Sequence, residues 1–258
     1  MSAYRNCSLC GSGKSQTLYK GLKDRFYGTP GAFDIAGCGN CGLSFLDPVP
    51  PNLSDYYPTR YYSYQPGSAA LQFVRRVASA GLFYLPKASA GQSVLDIGCG
   101  NGEYLERMRK RGWMVYGIEK DERLVTFLRQ RGIPAFESID EALGAKPHHF
   151  DLVSFNSALE HMEGFRSALE QVRRLLKKGG EIVILVPNVD SREHRVFGGK
   201  WFHLDPPRHL WHFSPSTAPS RIPDSRISVL KTSRVRRDSP GAYFIRSVFN
   251  STRCFSIY

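Results

Sequence analysis

The sequence predicts an α/β fold: an open, mostly parallel sheet preceded by a small cysteine-rich module. Three observations lead there. Short apolar runs alternate with helix-patterned stretches from about residue 92 to residue 188. The first of these runs leads into a glycine-rich turn that opens a helix. Two Cys-x-x-Cys hooks stand near the amino terminus, outside the alternating pattern.

The hooks come first in the chain. Cys7 and Cys10 form one, Cys38 and Cys41 the other, with 27 residues between them. No stretch approaches the roughly eighteen apolar residues of a spanning helix, and the polar start MSAYRNCSLC does not read as a signal peptide. The protein is therefore expected to be cytoplasmic, with no membrane partner. In that compartment paired hooks predict a tetrahedral zinc site, not disulfides. Gly11 and Gly42 follow the hooks and suit the turn that such a knuckle requires. Four thiolates would close the site, so the metal is expected to be structural. Beyond the hooks stand Tyr56, Tyr57, Tyr61 and Tyr62, placed either to pack the module onto the main domain or to meet a sugar face. Leu71, Val74, Val77 and Leu82 then predict a connecting helix. The expected division is a zinc ribbon at 1–50, a linker and helix at 51–88, and the α/β domain at 89–258.

Within that domain, Val94, Leu95 and Ile97 predict a buried strand, with Asp96 near its end. Gly98, Gly100 and Gly102 alternate through a tight turn, and a helix follows from Glu103. Glycines there allow left-handed backbone angles and let a ligand approach closely. A nicotinamide fingerprint would need glycine three residues after Gly100, where this chain has Glu103. The next strand, Met114 to Ile118, ends in Glu119, 21 residues after Gly98. An acid there can accept hydrogen bonds from both hydroxyls of a bound ribose; a solvated acid beside Lys120 is the plainer alternative. Phe150 to Phe155 is a further apolar run, and Gly164 to Gly180 carries a helical stripe closing on Lys177-Lys178-Gly179-Gly180. The run EIVILVPN predicts a fifth strand.

The spacing D-x-G-x-G-x-G from Asp96 is similar to the first motif of class I S-adenosylmethionine-dependent methyltransferases. The segments ALEHM and LLKKGGEIVILVPN resemble later motifs of that family, and the resemblance spans about Gln92 to Phe213. It implies a Rossmann-like sheet and S-adenosylmethionine held by Asp96, Gly98, Gly100, Gly102 and Glu119. Glu137 or Ser138, after the third strand, and Asn156, after the fourth, would flank the adenine. The hooks and tyrosines resemble zinc-ribbon methyltransferases, including sugar C-methyltransferases that act on nucleotide-linked deoxysugars. That resemblance implies that Glu160 and His161 lie beside the acceptor with His161 as base, although Ala158 stands where those enzymes can carry tyrosine. The alternative for His161 is a helix cap or a solvent-facing ring. In Trp201 to Phe213, WFHLDPPRHLWHF, similar segments form part of the acceptor pocket, so Arg208 and His209 would hold the acceptor, Arg208 by clamping a phosphate or carboxylate. The alternative is that both bond the ribbon or their own turn. His212, between Trp211 and Phe213, is expected to pack.

The net charge of +12 raises nucleic acid as a partner. Half of it falls after Phe213, where eight Lys/Arg face Asp224 and Asp238. The expected function is methylation, on oxygen or carbon, of a small polar acceptor such as a sugar or sugar nucleotide. RNA methylation is the alternative from charge, and a non-catalytic binding module is another. Against one RNA class, the segment after the fourth strand reads NSALEHM and lacks the D/N-P-P-Y motif that stacks a flipped base. Pro215, Pro219 and Pro223 exclude an ordinary helix over Ser214 to Arg226. A strand pattern resumes at Ile227, and Cys254 to Tyr258 is the candidate for the last strand. The carboxyl-terminal domain of the sugar C-methyltransferases has no counterpart in the sequence, and 214–258 is expected to be irregular or truncated.

Overall fold

The structure, a computed structural model, describes residues 4–58, 83–88 and 90–217, together with the backbone of 242–248. Most of the expected connecting helix, Pro219, Pro223, the strand expected from Ile227 and the candidate strand Cys254 to Tyr258 lie outside the described residues.

Three strands lead: β1 (Ser15–Leu22), β2 (Phe33–Cys38) and β3 (Ser44–Leu46). Alternation follows, with β4 (Ser93–Ile97), α1 (Glu103–Arg109), β5 (Met114–Ile118), α2 (Glu122–Gln130), β6 (Ala135–Phe136) and α3 (Ile139–Ala145). Then come β7 (Phe150–Asn156), α4 (Phe165–Leu175), β8 (Leu176–Pro187), α5 (Arg192–Phe197), β9 (Trp211–His212) and β10 (Ala242–Val248). The main sheet runs β10-β8-β7-β4-β5-β6, five strands parallel and β10 antiparallel to β8. This is the Rossmann-like arrangement that the glycine turn predicts.

The apolar spacing of α4 explains its place. Phe165, Ala168, Leu169, Val172 and Leu175 fall on one stripe, and all are buried. Burying each of the larger ones is worth about 1.5–3 kcal/mol, enough to hold a helix that short against the sheet. Asp121 and Ser138 cap α2 and α3, accepting from Arg123 N and Glu141 N respectively.

One expectation needs correction. The helix does not continue to Gly180. Leu176 already pairs with Phe150, and the register then jumps to Leu152 opposite Glu181. The residues between form a bulge in which Gly179 has φ +82°, so the Lys-Lys-Gly-Gly signal marks an irregular strand start. On its other side β8 pairs with β10, from Ala242 opposite Pro187 to Val248 opposite Glu181. The run AYFIRSV is rich in the aromatic and β-branched residues that suit such an edge.

The ribbon strands form their own antiparallel sheet, but its fourth strand is β9. Ser44 pairs with His212 and Phe45 with Trp211, so residues far along the chain complete the amino-terminal module. Trp211 packs against Phe45 on one side and edge-on to Phe165 of α4 on the other, while its indole donates to Met162 O at 2.7 Å. One continuous core therefore runs from Ile35 and Leu46 through Trp211 to Leu159 and Val172.

Candidate active site

The turn after β4 is built by backbone. Gly98, Gly100 and Gly102 have φ of +70°, +55° and +78°. A Cβ on Gly98 would lie 2.7 Å from Ala158 Cβ, and one on Gly102 would lie 2.5 Å from Leu128. Only glycine meets both conditions at these positions. Gly98 N and Cys99 N donate to Ile118 O, and Gly100 N donates to Glu119 Oε2 at 2.9 Å. The other oxygen, Oε1, accepts from Lys120 N and Asp121 N. Glu119 is thus fixed in the turn and half-buried.

Asp96 lies inside the sheet, 1% exposed, accepting from Ser154 Oγ at 2.7 Å and Asn156 Nδ2 at 2.8 Å. Burial pushes its carboxyl up to about 7, against the pull of those two donors and with the charge of Glu119 adding to the rise. Its visible work is to orient Asn156, whose Oδ1 is buried without a partner among the described residues. Ser138 is exposed, and its hydroxyl caps α3. The Ser138…Glu141 spacing is a capping signal that sequence reasoning passed over, with Glu141 Oε2 accepting from Glu137 N at 2.7 Å.

After β7 the chain turns through Ser157, at φ +51°, and Ala158 into a single 3-10 turn, Leu159–His161. The contact of Ala158 with Gly98 sets that turn against the glycine loop. Glu160 is fully buried, neither oxygen has a hydrogen-bond partner among the described residues, and burial, with help from Asp205, pushes its carboxyl up to about 8. His161 Nδ1 lies 3.0 Å from Arg208 O and 3.0 Å from Tyr57 Oη. Burial, followed by the neighbouring His209, holds the His161 imidazole down at about 3. The His161 and His209 rings meet edge to face at 4.6 Å. A carboxylate oxygen of Glu160 and one ring nitrogen from each histidine all fall within 4.8 Å of one another.

Arg208 is engaged differently from the expected acceptor clamp. Its side chain is fully buried, and both terminal nitrogens donate to Asp24, at 2.8 and 2.9 Å. Nε and Nη2 donate to Asp205, and Nη1 also reaches Tyr56 O. That leaves no free face toward an acceptor. The guanidinium ties the ribbon to the 201–213 segment. Asp24, whose carboxylate also accepts from the amides of Phe26, Tyr27 and Thr29 and from the Thr29 hydroxyl, is a residue that sequence reasoning missed. Burial alone would raise its carboxyl, but Arg208 and these donors hold it well below the usual carboxylate range. Nothing local in the sequence marks Asp24, because its partner lies 184 residues away. His212 packs within β9, as expected, with Nε2 buried and unpartnered among the described residues.

The two hooks fold as matched knuckles. Gly11 N donates to Cys7 O and Gly42 N to Cys38 O, with both glycines at positive φ. The four sulfurs lie within 4.8 Å of one another, with Cys7 to Cys41 and Cys10 to Cys38 each at 3.6 Å. None of the four is in a disulfide. Zinc–sulfur bonds of ~2.3 Å in a tetrahedron require edges of ~3.8 Å, so the donor set fits that metal.

Beside Asp205 opens a groove of about 330 Å³, lined by Lys23, Arg25, Phe26, Lys200 and Phe202 among others. Phe26 and Phe202 are 45% and 57% exposed, and their rings meet at 4.4 Å. Cationic ends around exposed aromatic faces suit an anionic molecule with a flat ring. Among the described residues no helix is long and apolar enough to cross a membrane.

Known proteins resemble this chain as follows. A family model described as a methyltransferase domain matches residues 69–218. Ubiquinone biosynthesis O-methyltransferase of Pseudomonas aeruginosa is 29% identical over 142 residues, covering 52% of this chain and 61% of that protein. The chain thus spans less than two thirds of the length of that relative. Among solved structures, the Burkholderia thailandensis 1,6-didemethyltoxoflavin-N1-methyltransferase, with 1,6-didemethyltoxoflavin and S-adenosylhomocysteine bound, gives a TM-score of 0.53 at 16% identity, covering 84% of this chain and 96% of that one. The complex of the Haloferax volcanii Trm112 methyltransferase activator with a methyltransferase gives 0.53 at 18% identity, over 70% and 93% of the two chains.

Proposed function

Because the chain belongs to the methyltransferase domain family, we propose that it moves a methyl group from S-adenosylmethionine to a small polar acceptor, a sugar or sugar nucleotide, on oxygen or carbon. The observation that carries this reading is the contact of Ala158 with Gly98, which sets the Glu160–His161 turn beside the glycine loop. Asp96, Gly98, Gly100, Gly102 and Glu119 would hold the cofactor, with Asn156 at its adenine end. Ser138 would contribute through the turn it caps. The bound cofactor supplies an electrophilic methyl group on a sulfonium.

This chain's own residues orient and deprotonate. With the cofactor bound, the acceptor atom would take that methyl group, and the sulfur would keep the electron pair of the carbon–sulfur bond. The acceptor's proton passes to His161, which burial keeps neutral, with Glu160 beside it as the more basic partner once ionised. His209 lines the same spot. Arg208 acts at one remove, by fixing Asp205 and the Arg208 carbonyl against His161. The groove of Lys23, Arg25, Lys200 and the two phenylalanines supports an acceptor with a phosphate-bearing handle. Zinc on Cys7, Cys10, Cys38 and Cys41 would fold the ribbon and take no part in transfer.

Calorimetry with S-adenosylhomocysteine tests the cofactor half: saturable binding, weakened in Glu119→Ala, is expected, and absence of binding by folded protein refutes it. Labelled methyl incorporation into nucleotide-sugars against RNA tests the acceptor. Incorporation into RNA alone overturns the small-molecule reading, and full activity in His161→Ala overturns the base. Metal analysis should find one zinc per chain, lost in Cys38→Ser.

A further inference from the structure

We propose that Glu160, His161 and His209 form a second metal site, taking one divalent first-row transition-metal ion, separate from the four-cysteine cluster. The inference goes beyond methyl transfer and starts from hydrogen bonding. Arg208 O lies 3.0 Å from His161 Nδ1, and His203 O lies 2.8 Å from His209 Nδ1. A carbonyl can only accept, so each Nδ1 carries the proton and each Nε2 presents a bare lone pair. Tyr57 Oη, at 3.0 Å from the same His161 nitrogen, shares that proton. A histidine whose far nitrogen donates to a backbone carbonyl is oriented as metal-bound histidines are.

The third group is the Glu160 carboxyl, fully buried and, among the described residues, without a hydrogen-bond partner. A carboxylate oxygen of Glu160 and one ring nitrogen from each histidine lie within 4.8 Å of one another. A cation among these atoms would take the place of the proton that the buried Glu160 carboxyl otherwise keeps. Asp205, whose Oδ2 is 4.0 Å from His209 Nε2, stands nearby with its charge paired to Arg208.

Two imidazoles and one carboxylate select zinc, iron, cobalt or nickel over magnesium or calcium, which prefer all-oxygen shells. Bonds of ~2.1 Å require the ligand atoms to approach by roughly another ångström. Three protein ligands leave coordination positions open, as catalytic metal sites do. An acceptor hydroxyl bound there would lose its proton to solvent more readily, because the cation stabilises the alkoxide. With the ion in place His161 is a ligand; without it, His161 remains the free base.

Cobalt(II) is the probe. Full-length protein whose cysteine site is already filled with zinc should bind one further equivalent of cobalt. The new visible bands should be weak, with no sulfur-to-metal charge transfer. Glu160→Gln and His209→Ala should each weaken that binding at least about ten-fold while keeping one zinc and S-adenosylhomocysteine binding. No saturable cobalt binding beyond the cysteine site, a thiolate spectrum, or unchanged affinity in both variants would overturn the site. The wild-type titration decides even if a variant misfolds. Because the readout is binding, its failure leaves the methyl-transfer reading untouched, and failure to bind S-adenosylhomocysteine leaves this one untouched.

Discussion

The glycine turn and the Glu160–His209 cluster meet across Ala158, yet they are held in opposite ways. In the turn, shape is imposed by backbone: positive φ at three glycines, amides donating to Ile118 O and Glu119, and no room for a Cβ at Gly98 or Gly102. In the cluster, shape is imposed by tertiary contacts from a distant segment, through Arg208, Asp24 and Asp205. The first depends mainly on two dozen or so consecutive residues, from Asp96 to Glu119. The second depends on groups separated by well over a hundred. Damage to the first should remove cofactor binding, and damage to the second should loosen the fold around the acceptor.

The largest effect is expected at Arg208. Replacing it by alanine leaves the carboxylates of Asp24 and Asp205 buried without their cation, costing about 3–5 kcal/mol. Urea unfolding should show that loss. A loss under about 1 kcal/mol would mean that the ribbon is not anchored this way. Next comes Gly98→Ala, which combines a left-handed backbone with the 2.7 Å approach to Ala158 Cβ. It should cost about 2–3 kcal/mol and lower S-adenosylhomocysteine affinity by at least ten-fold. Glu119→Ala should lower that affinity by about ten-fold or more and cost about 1–2 kcal/mol in unfolding, since three backbone amides lose their acceptor.

A pH series sharpens the contrast further. Asp24 is held below its unfolded value of about 3.9, so its contribution is complete above that pH and is lost as pH falls toward the lower folded value. The slope should approach 1.4 kcal/mol per pH unit for this group. Adding salt should alter the slope little, since the pair is buried. A wild-type stability curve flat from pH 5 to pH 3 would contradict it. The smallest effect is expected for His212→Phe. The ring is buried and its Nε2 has no partner among the described residues, so the change should fall within about 1 kcal/mol.

How much of this was legible in the sequence follows the same division. The strand–turn–helix around Asp96 and Gly98 and the turns at Gly11 and Gly42 are local patterns that the structure shares, and Glu119 ends its strand with its carboxylate bonded into the glycine turn. The helix stripe through Phe165 and Leu175 is right in its apolar face and too long by its last five residues. There Leu176 can already pair with Phe150, and tertiary pairing outweighs local propensity. The role of Arg208 was the harder case. Residue type alone admits either an acceptor clamp or a structural tie, and the choice depends on Asp24, a carboxylate with no sequence signal. Ser138 was read for its position after a strand, while its hydroxyl answers to the helix that follows.

The pairing of Phe45 with Trp211 also sets a timetable. During synthesis the cysteine hooks emerge early, but the fourth strand of their sheet leaves the ribosome only after most of the α/β domain. At about 5–20 residues per second, the module waits on the order of ten seconds or longer with β3 an open edge. In that interval the hooks can gather their metal, while Phe45 and Leu46 have no Trp211 to cover them. The two ends of the molecule therefore mature together, and a nascent chain stopped before residue 211 carries an exposed apolar strand that chaperones or neighbouring chains can reach.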